Sequence, residues 1–162
     1  MSNVVYTSNI KIVRKKGSLR HAYLPALNEP VKFGVHGAIA KHYGVSEEIN
    51  EPYATTIDYL ISAVGGCLTG TFGGALKVRK IDADNDKLSS EVIGEVELED
   101  NVLVIKRILV KYTILAEEKD KKTIERVHKI HKDYCAVYKS VCKSIDISTE
   151  LSIRSSDMIG NQ

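Results

Sequence analysis

The 162-residue sequence contains no internal repeat, no low-complexity tract and no linker rich in proline, glycine and serine. Repeat arrays and strings of tethered modules are thereby excluded. One domain over residues 1–162 is expected, with 157–162 as a loose tail. Cysteine is scarce: three, at positions 67, 135 and 142. A secreted disulfide scaffold needs an even and denser set, so a reducing compartment, the cytoplasm, is expected. The opening MSNVVYTSNI has no basic stretch followed by an apolar core, and no secretory signal is expected. Charge of one sign is also lacking. The net charge is +2, and Glu117, Glu118 and Asp120 offset Lys119, Lys121 and Lys122. No basic stripe is interleaved with aromatics, so nucleic acid is not an expected partner.

Several catalytic and ligand-binding signatures are missing too. There is no CxxC redox pair, GxSxG, P-loop, or GxGxxG between a strand and a helix. Long hydrophobic runs are limited to one, the uncharged 18 residues from Tyr59 to Leu76. That run is at the lower length limit for crossing a bilayer and is diluted by five glycines. It reads as a core helix of a soluble protein, and no membrane partner is expected.

What is present reads as strands, helix, hairpin, helix, strand. Val4, Tyr6, Ser8, Ile10 and Ile12 alternate with a more polar set, and a turn follows at Lys15–Ser18. Short strands are predicted over Arg20–Leu24 and Val31–Val35, then a loop over 37–54 with a helical turn near Ile39. Thr55 with Asp58 three residues later forms a capping arrangement for a helix running to about Arg79. Each glycine inside it costs roughly 1 kcal/mol relative to alanine. A second helix or a partner chain is therefore expected to cross this helix closely. An antiparallel hairpin follows (Val92–Leu98, then Val102–Leu115), with Ile108, Val110, Tyr112 and Ile114 on one face. A second helix from Glu118 carries an inward stripe of Ile124, Val127, His131 and Tyr134. A last strand alternates through Ile147, Thr149, Leu151 and Ile153. Segregated helices and strands make the class α+β.

Few residues could carry chemistry. Cys67, in VGGCLTG, is either a small core residue or a thiol that Gly65 and Gly66 leave accessible to a ligand. Cys135, in DYCAVYKS at the end of the second helix, is equally a packing residue or a reactive one. His128, His131, Cys135 and Cys142 offer a zinc-like donor set, although HxxH is one residue short of the helical spacing. His21, His36 and His42 are scattered and receive no role.

The segments TTIDYLISAVGGCLTGTFGGALK (Thr55–Lys77) and DYCAVY (Asp133–Tyr138) resemble the osmotically inducible protein C and organic hydroperoxide resistance family, OsmC/Ohr. There a helix reads roughly N/T-P-x-E-L-L-x-A-A-x-x-x-C, and a second helix ends in C-P-V. The 68-residue separation of Cys67 and Cys135 also fits, as does the element order over nearly the whole chain. The resemblance implies antiparallel sheets wrapped around a buried central helix, and an intertwined homodimer. It implies a peroxidase in which Cys67 attacks an organic hydroperoxide and Cys135 resolves the oxidised sulfur as a disulfide. No cofactor is implied, and an external dithiol reductant closes the cycle. An ordinary cysteine is only about 3% ionised at pH 7, and a guanidinium lowering its pKa to about 6 gives roughly 90%. The resemblance points to Arg20 for that cation, with Arg14 in reserve, and to Asp58 as the accompanying acid.

The chain departs from the pattern at several positions. Ile57 stands where the Ohr branch has a glutamate, Ala136 replaces the proline after the second cysteine, and Cys142 adds a possible competing resolver. Nine helical residues rotate by about 180°, which places Asp58 and Cys67 on opposite helix faces. An alternative reading is a non-catalytic domain of the same fold that binds a small apolar ligand or a metal.

Overall fold

A computed structural model of the chain describes residues 3–46 and 52–155. The expected tail over 157–162 lies outside the described residues, as does part of the 37–54 loop. Two units are distinguished, Met1–Tyr59 and Leu60–Gln162.

The first unit holds an antiparallel sheet of β1 (Lys11–Arg14), β2 (Arg20–Tyr23) and β3 (Val31–Phe33), then α1 (Gly37–His42). The β1–β2 turn closes through Lys15 N–H donating to the Leu19 carbonyl at 2.8 Å, with Gly17 at φ 61°. The first strand is shorter than its alternation predicts. Its register ends at Lys11 opposite Tyr23. Val4, Val5 and Tyr6 are exposed, because β2 is too short to pair with them.

The long helix α2 (Thr56–Val78) starts in this unit on a reciprocal cap. Thr55 N–H donates to the Asp58 carboxylate at 2.7 Å, and Asp58 N–H donates to Thr55 Oγ1 at 3.0 Å. The expected arrangement is therefore present, one residue inside its predicted bounds.

The second unit holds the rest of α2, a sheet ordered β4-β5-β6, and the helices between β5 and β6. β4 (Leu88–Glu99) and β5 (Val102–Ala116) pair antiparallel around a turn with Asp100 at φ 48° and Asn101 at φ 65°. Both residue types tolerate this left-handed geometry, which matches the twist of a two-residue hairpin. A bulge at Glu95/Val96 leaves Lys106 outside the register. Ile105 and Ile108 thus both turn inward despite their odd spacing, ahead of buried Val110, Tyr112 and Ile114. The last strand, β6 (Asp146–Ser155), runs parallel to β5. This corrects the all-antiparallel expectation: the intervening helices carry the chain back to the start of the sheet, as a parallel pairing requires.

α2 packs one face, with Val64, Gly65, Leu68, Phe72 and Leu76 buried. The close approach that its glycines imply comes from a strand of the same unit. A Cβ on Gly65 would collide with the Val92 side chain of β4, and one on Gly94 of β4 would collide with Ile61. Gly66, Gly70 and Gly74 have open space around their Cα atoms. By length and composition alone α2 could cross a bilayer.

The predicted second helix is flanked by 3-10 turns at both ends, and a further short helix follows it. α3 (Lys121–Ile130) follows a short 3-10 turn, a second 3-10 turn covers His131–Tyr134, and α4 (Ala136–Val141) restarts after an extended Cys135. Ile124, Val127 and His131 are buried as expected, but the change of pitch swings Tyr134 outward, to 77% exposure. His131 Nδ1–H donates to the His128 carbonyl at 2.7 Å. Its Nε2 is therefore the acceptor for the Tyr112 hydroxyl at 2.9 Å. Among the described residues no group of three or more side chains is placed to hold a metal ion, so the zinc-like set does not converge.

Two predictions follow from this packing. Gly65→Ala forces Val92 aside and is expected to cost about 1–3 kcal/mol, read as a lowered thermal midpoint. Burial holds the pKa values of His128 and His131 below the ordinary imidazole value. The unfolded chain therefore binds more protons, and stability is lost as pH falls below about 6.5. The midpoint should drop between about pH 7 and 5, and the drop should be smaller in His128→Gln.

Candidate active site

The two cysteines singled out in the sequence come together in the second unit. Cys67 is on α2, half-buried, and Cys135 is fully buried at the N-cap of α4. Their thiols share a hydrogen bond. The chain places them so because Cys135 is extended, at φ −87° and ψ 118°, between the 3-10 turn and α4. That kink directs the first amides of α4 at the sulfur of Cys67.

The two sulfurs differ in acidity for physical reasons. Burial raises the pKa of Cys67, but several donors outweigh it and bring it below the ordinary value. These are the Val137 N–H, the Cys135 thiol and the Ala136 N–H; Thr71 lies nearby, its hydroxyl donating to the Cys67 carbonyl at 2.8 Å. The first N–H groups of a helix have no internal partner and carry partial positive charge, so they favour an adjacent thiolate. Cys135 moves the other way. Burial raises its pKa, the hydrogen bond and charge of Cys67 raise it further, and the Tyr138 N–H at 3.4 Å offsets this only in part. Cys67 is thus the more acidic of the two sulfurs, and Cys135 the one that holds its proton more tightly.

Cys142 is the C-cap residue of α4. Seven helical residues span about 10 Å, beyond the Cα separation of roughly 7 Å that a disulfide tolerates. Cys142 cannot bond to Cys135 while α4 is intact.

The remaining sequence-predicted residues belong to the first unit. Arg20 starts β2 and donates from Nη1 to the Ser18 carbonyl at 2.8 Å. Arg14 lies directly opposite it in the register. Asp58 is taken up by its own cap and by His36 Nε2 at 2.9 Å. Those hydrogen bonds and the His36 charge outweigh burial and hold its carboxyl below the usual range.

Sequence reasoning missed Thr71 and the amides of Ala136 and Val137. Thr71 is four residues after Cys67, so its position on the same helix face was readable. The amides were visible in one respect only: Ala136 stands where the resembling pattern has proline, and proline has no N–H to give.

This difference supplies a test. Cys135 already has an extended backbone suited to precede proline, and Ala136 is the first residue of α4, where proline is well tolerated. Ala136→Pro should therefore fold normally and raise the Cys67 pKa, read by thiolate absorbance against pH. An unchanged pKa would remove the amide from the account.

A family model described as OsmC-like protein matches residues 50–150. No curated protein sequence matches the chain. Solved structures share its fold at low identity. An OsmC-like protein of unknown function from Vibrio cholerae has 8% identity and a TM-score of 0.73, covering 91% of this chain and 100% of that one. An OsmC-like protein from Mycoplasma pneumoniae has 12% identity and a TM-score of 0.69, covering 94% and 99%. The organic hydroperoxide resistance protein OhrB of Bacillus subtilis has 16% identity and a TM-score of 0.58, covering 92% and 100%. Matched by the family model over most of its length, and folded as these proteins are, the chain belongs to the OsmC-like family.

Proposed function

We propose that the protein is a two-cysteine peroxidase that reduces organic hydroperoxides. The observation carrying this reading is the adjacency of two sulfurs shifted in opposite directions, the Cys67 pKa lowered and the Cys135 pKa raised. A thiolate is the attacking species in thiol chemistry, and its neighbour must keep a proton until the second step.

The Cys67 thiolate attacks the terminal peroxide oxygen, and the O–O bond breaks. The sulfur gains OH as a sulfenic acid, while the alkoxide takes up a proton and leaves as an alcohol. The Cys135 sulfur then attacks the sulfenic sulfur. Its proton joins the departing hydroxide as water, and a Cys67–Cys135 disulfide remains. An external dithiol reduces that disulfide, so no bound cofactor is needed.

The same reading assigns Arg20, with Arg14 in reserve, to the developing negative charge on the peroxide, and Asp58 to holding that cation. It also includes a cytoplasmic homodimer. The open strip at Gly66, Gly70 and Gly74 supports a second copy as the neighbour of α2, since small residues permit close helix approach.

Stopped-flow consumption of cumene hydroperoxide tests the nucleophile: Cys67→Ser should fall to the uncatalysed rate, and wild-type rates in that variant would sink the mechanism. Peroxide treatment should also remove two free thiols and yield a Cys67–Cys135 peptide by mass mapping. A Cys135–Cys142 peptide would reassign the resolving sulfur.

A further inference from the structure

The helix α3 covers its sheet unevenly. Its buried stripe is Ile124 and Val127, and His128 beside that stripe lies edge-on to Tyr112 of β5, with ring centroids 5.7 Å apart. The neighbouring strand β6 is covered less. Leu151 and Ile153 stand opposite Tyr112 and Ile114 in the register and share their inward face. Tyr112 and Ile114 are fully buried, whereas Leu151 and Ile153 are only half-buried. Lys121, Glu125 and Lys129 of α3 form one wall of a cavity of about 790 Å3, and Thr149, Leu151 and Ile153 of β6 form its floor.

The outer edge of β6 is open as well, since among the described residues the strand pairs only with β5. Every second residue of β6 thus turns a backbone N–H and C=O away from the sheet, a template for a further strand. Glu150 also lines the cavity although it belongs by parity to the opposite face, so the cavity reaches that edge. Two lengths agree. Lys121 to Lys129 is eight helical residues, about 12 Å, and Thr149 to Ile153 is four strand residues, about 13 Å. Wall and floor are matched to about four residues of extended chain. The charges on the wall recur every four residues, or about 6 Å, close to the roughly 6.6 Å between same-face side chains of a strand. Their signs alternate. Lys121 is loosely paired with Glu118 at 3.9 Å, and among the described residues Glu125 and Lys129 form no ion pair.

We propose that the groove between α3 and the open edge of β6 receives an extended polypeptide segment as an added strand, with acid, base and acid at alternate positions facing Lys121, Glu125 and Lys129. Backbone hydrogen bonds to β6 supply the adhesion, and the helix wall selects the side chains. This inference is independent of the chemistry at Cys67. The order acid, base, acid reads the same in both directions, so the match holds for either polarity of the segment. A second copy of this chain fits less well. A two-fold axis at the edge sets α3 against itself in reverse, bringing lysine to lysine and glutamate to glutamate.

The test uses the full chain and a fluorescent peptide with blocked ends, Thr-Glu-Val-Lys-Val-Glu-Thr. Its anisotropy should rise with protein concentration, and the β6 amides over 149–153 should gain protection from hydrogen exchange. The charge-reversed peptide, Thr-Lys-Val-Glu-Val-Lys-Thr, should bind at least about tenfold more weakly, because three pairs become repulsive. Glu125→Lys should weaken the first peptide by about two- to fivefold, the range for one exposed pair, and glutamate at the central peptide position should restore binding. Leu151→Lys places an inward charge on the edge strand and should abolish binding. Glu125 is exposed, so its variant decides the question even if Leu151→Lys disturbs the sheet. No binding of either peptide at millimolar concentration overturns the proposal, as does equal binding of the two, or binding without protection in β6. Self-association of the chain that Leu151→Lys abolishes gives the edge to a second copy and overturns it likewise.

Discussion

The contact on which the site depends is the one between the Cys67 sulfur and the beginning of α4. A half-buried thiolate is costly, because removal from water penalises its charge. Here the cost is offset by groups that are already oriented: the amides of Ala136 and Val137 and the Cys135 thiol. None of them has to reorganise when the sulfur loses its proton. The 3-10 turn at His131–Tyr134 and the extended Cys135 are what aim α4, so a break in the helix, and not its continuity, creates the site.

That break is held from below by the core. Phe72 of α2 packs on Tyr112 of β5 and on His131, each with ring centroids 4.9 Å apart, and Tyr112 bonds to His131. The helix bearing Cys67, the central strand and the turn before Cys135 thereby share one set of buried rings. Gly65 and Gly94 serve the same end, because each lets α2 and β4 approach more closely than any side chain would permit. Burying neutral histidines in this cluster makes the arrangement sensitive to acid, since the unfolded chain gains protons that the folded one cannot accept.

The chain's departures from the family pattern also become intelligible physically. Alanine at 136 in place of proline adds an N–H donor beside the Cys67 sulfur. Asp58 acts as the cap of α2 and as the partner of His36. Cys142, close in sequence to Cys135, is kept from it by the length of α4.

Much of this was legible in the sequence. The cap at Thr55 and Asp58, the bounds of α2, the long hairpin and the inward row Ile108, Val110, Tyr112 and Ile114 follow from local rules of periodicity and capping. The pairing of Cys67 with Cys135 was readable only through resemblance, because 68 residues of separation carry no local signal. Tertiary structure alone decided three things. The parallel course of β6 depends on how the intervening helices return the chain, and the outward turn of Tyr134 depends on a change of helical pitch. The acidity of Cys67 depends on backbone amides, which every residue except proline carries, and which therefore leave no mark in a string of side chains.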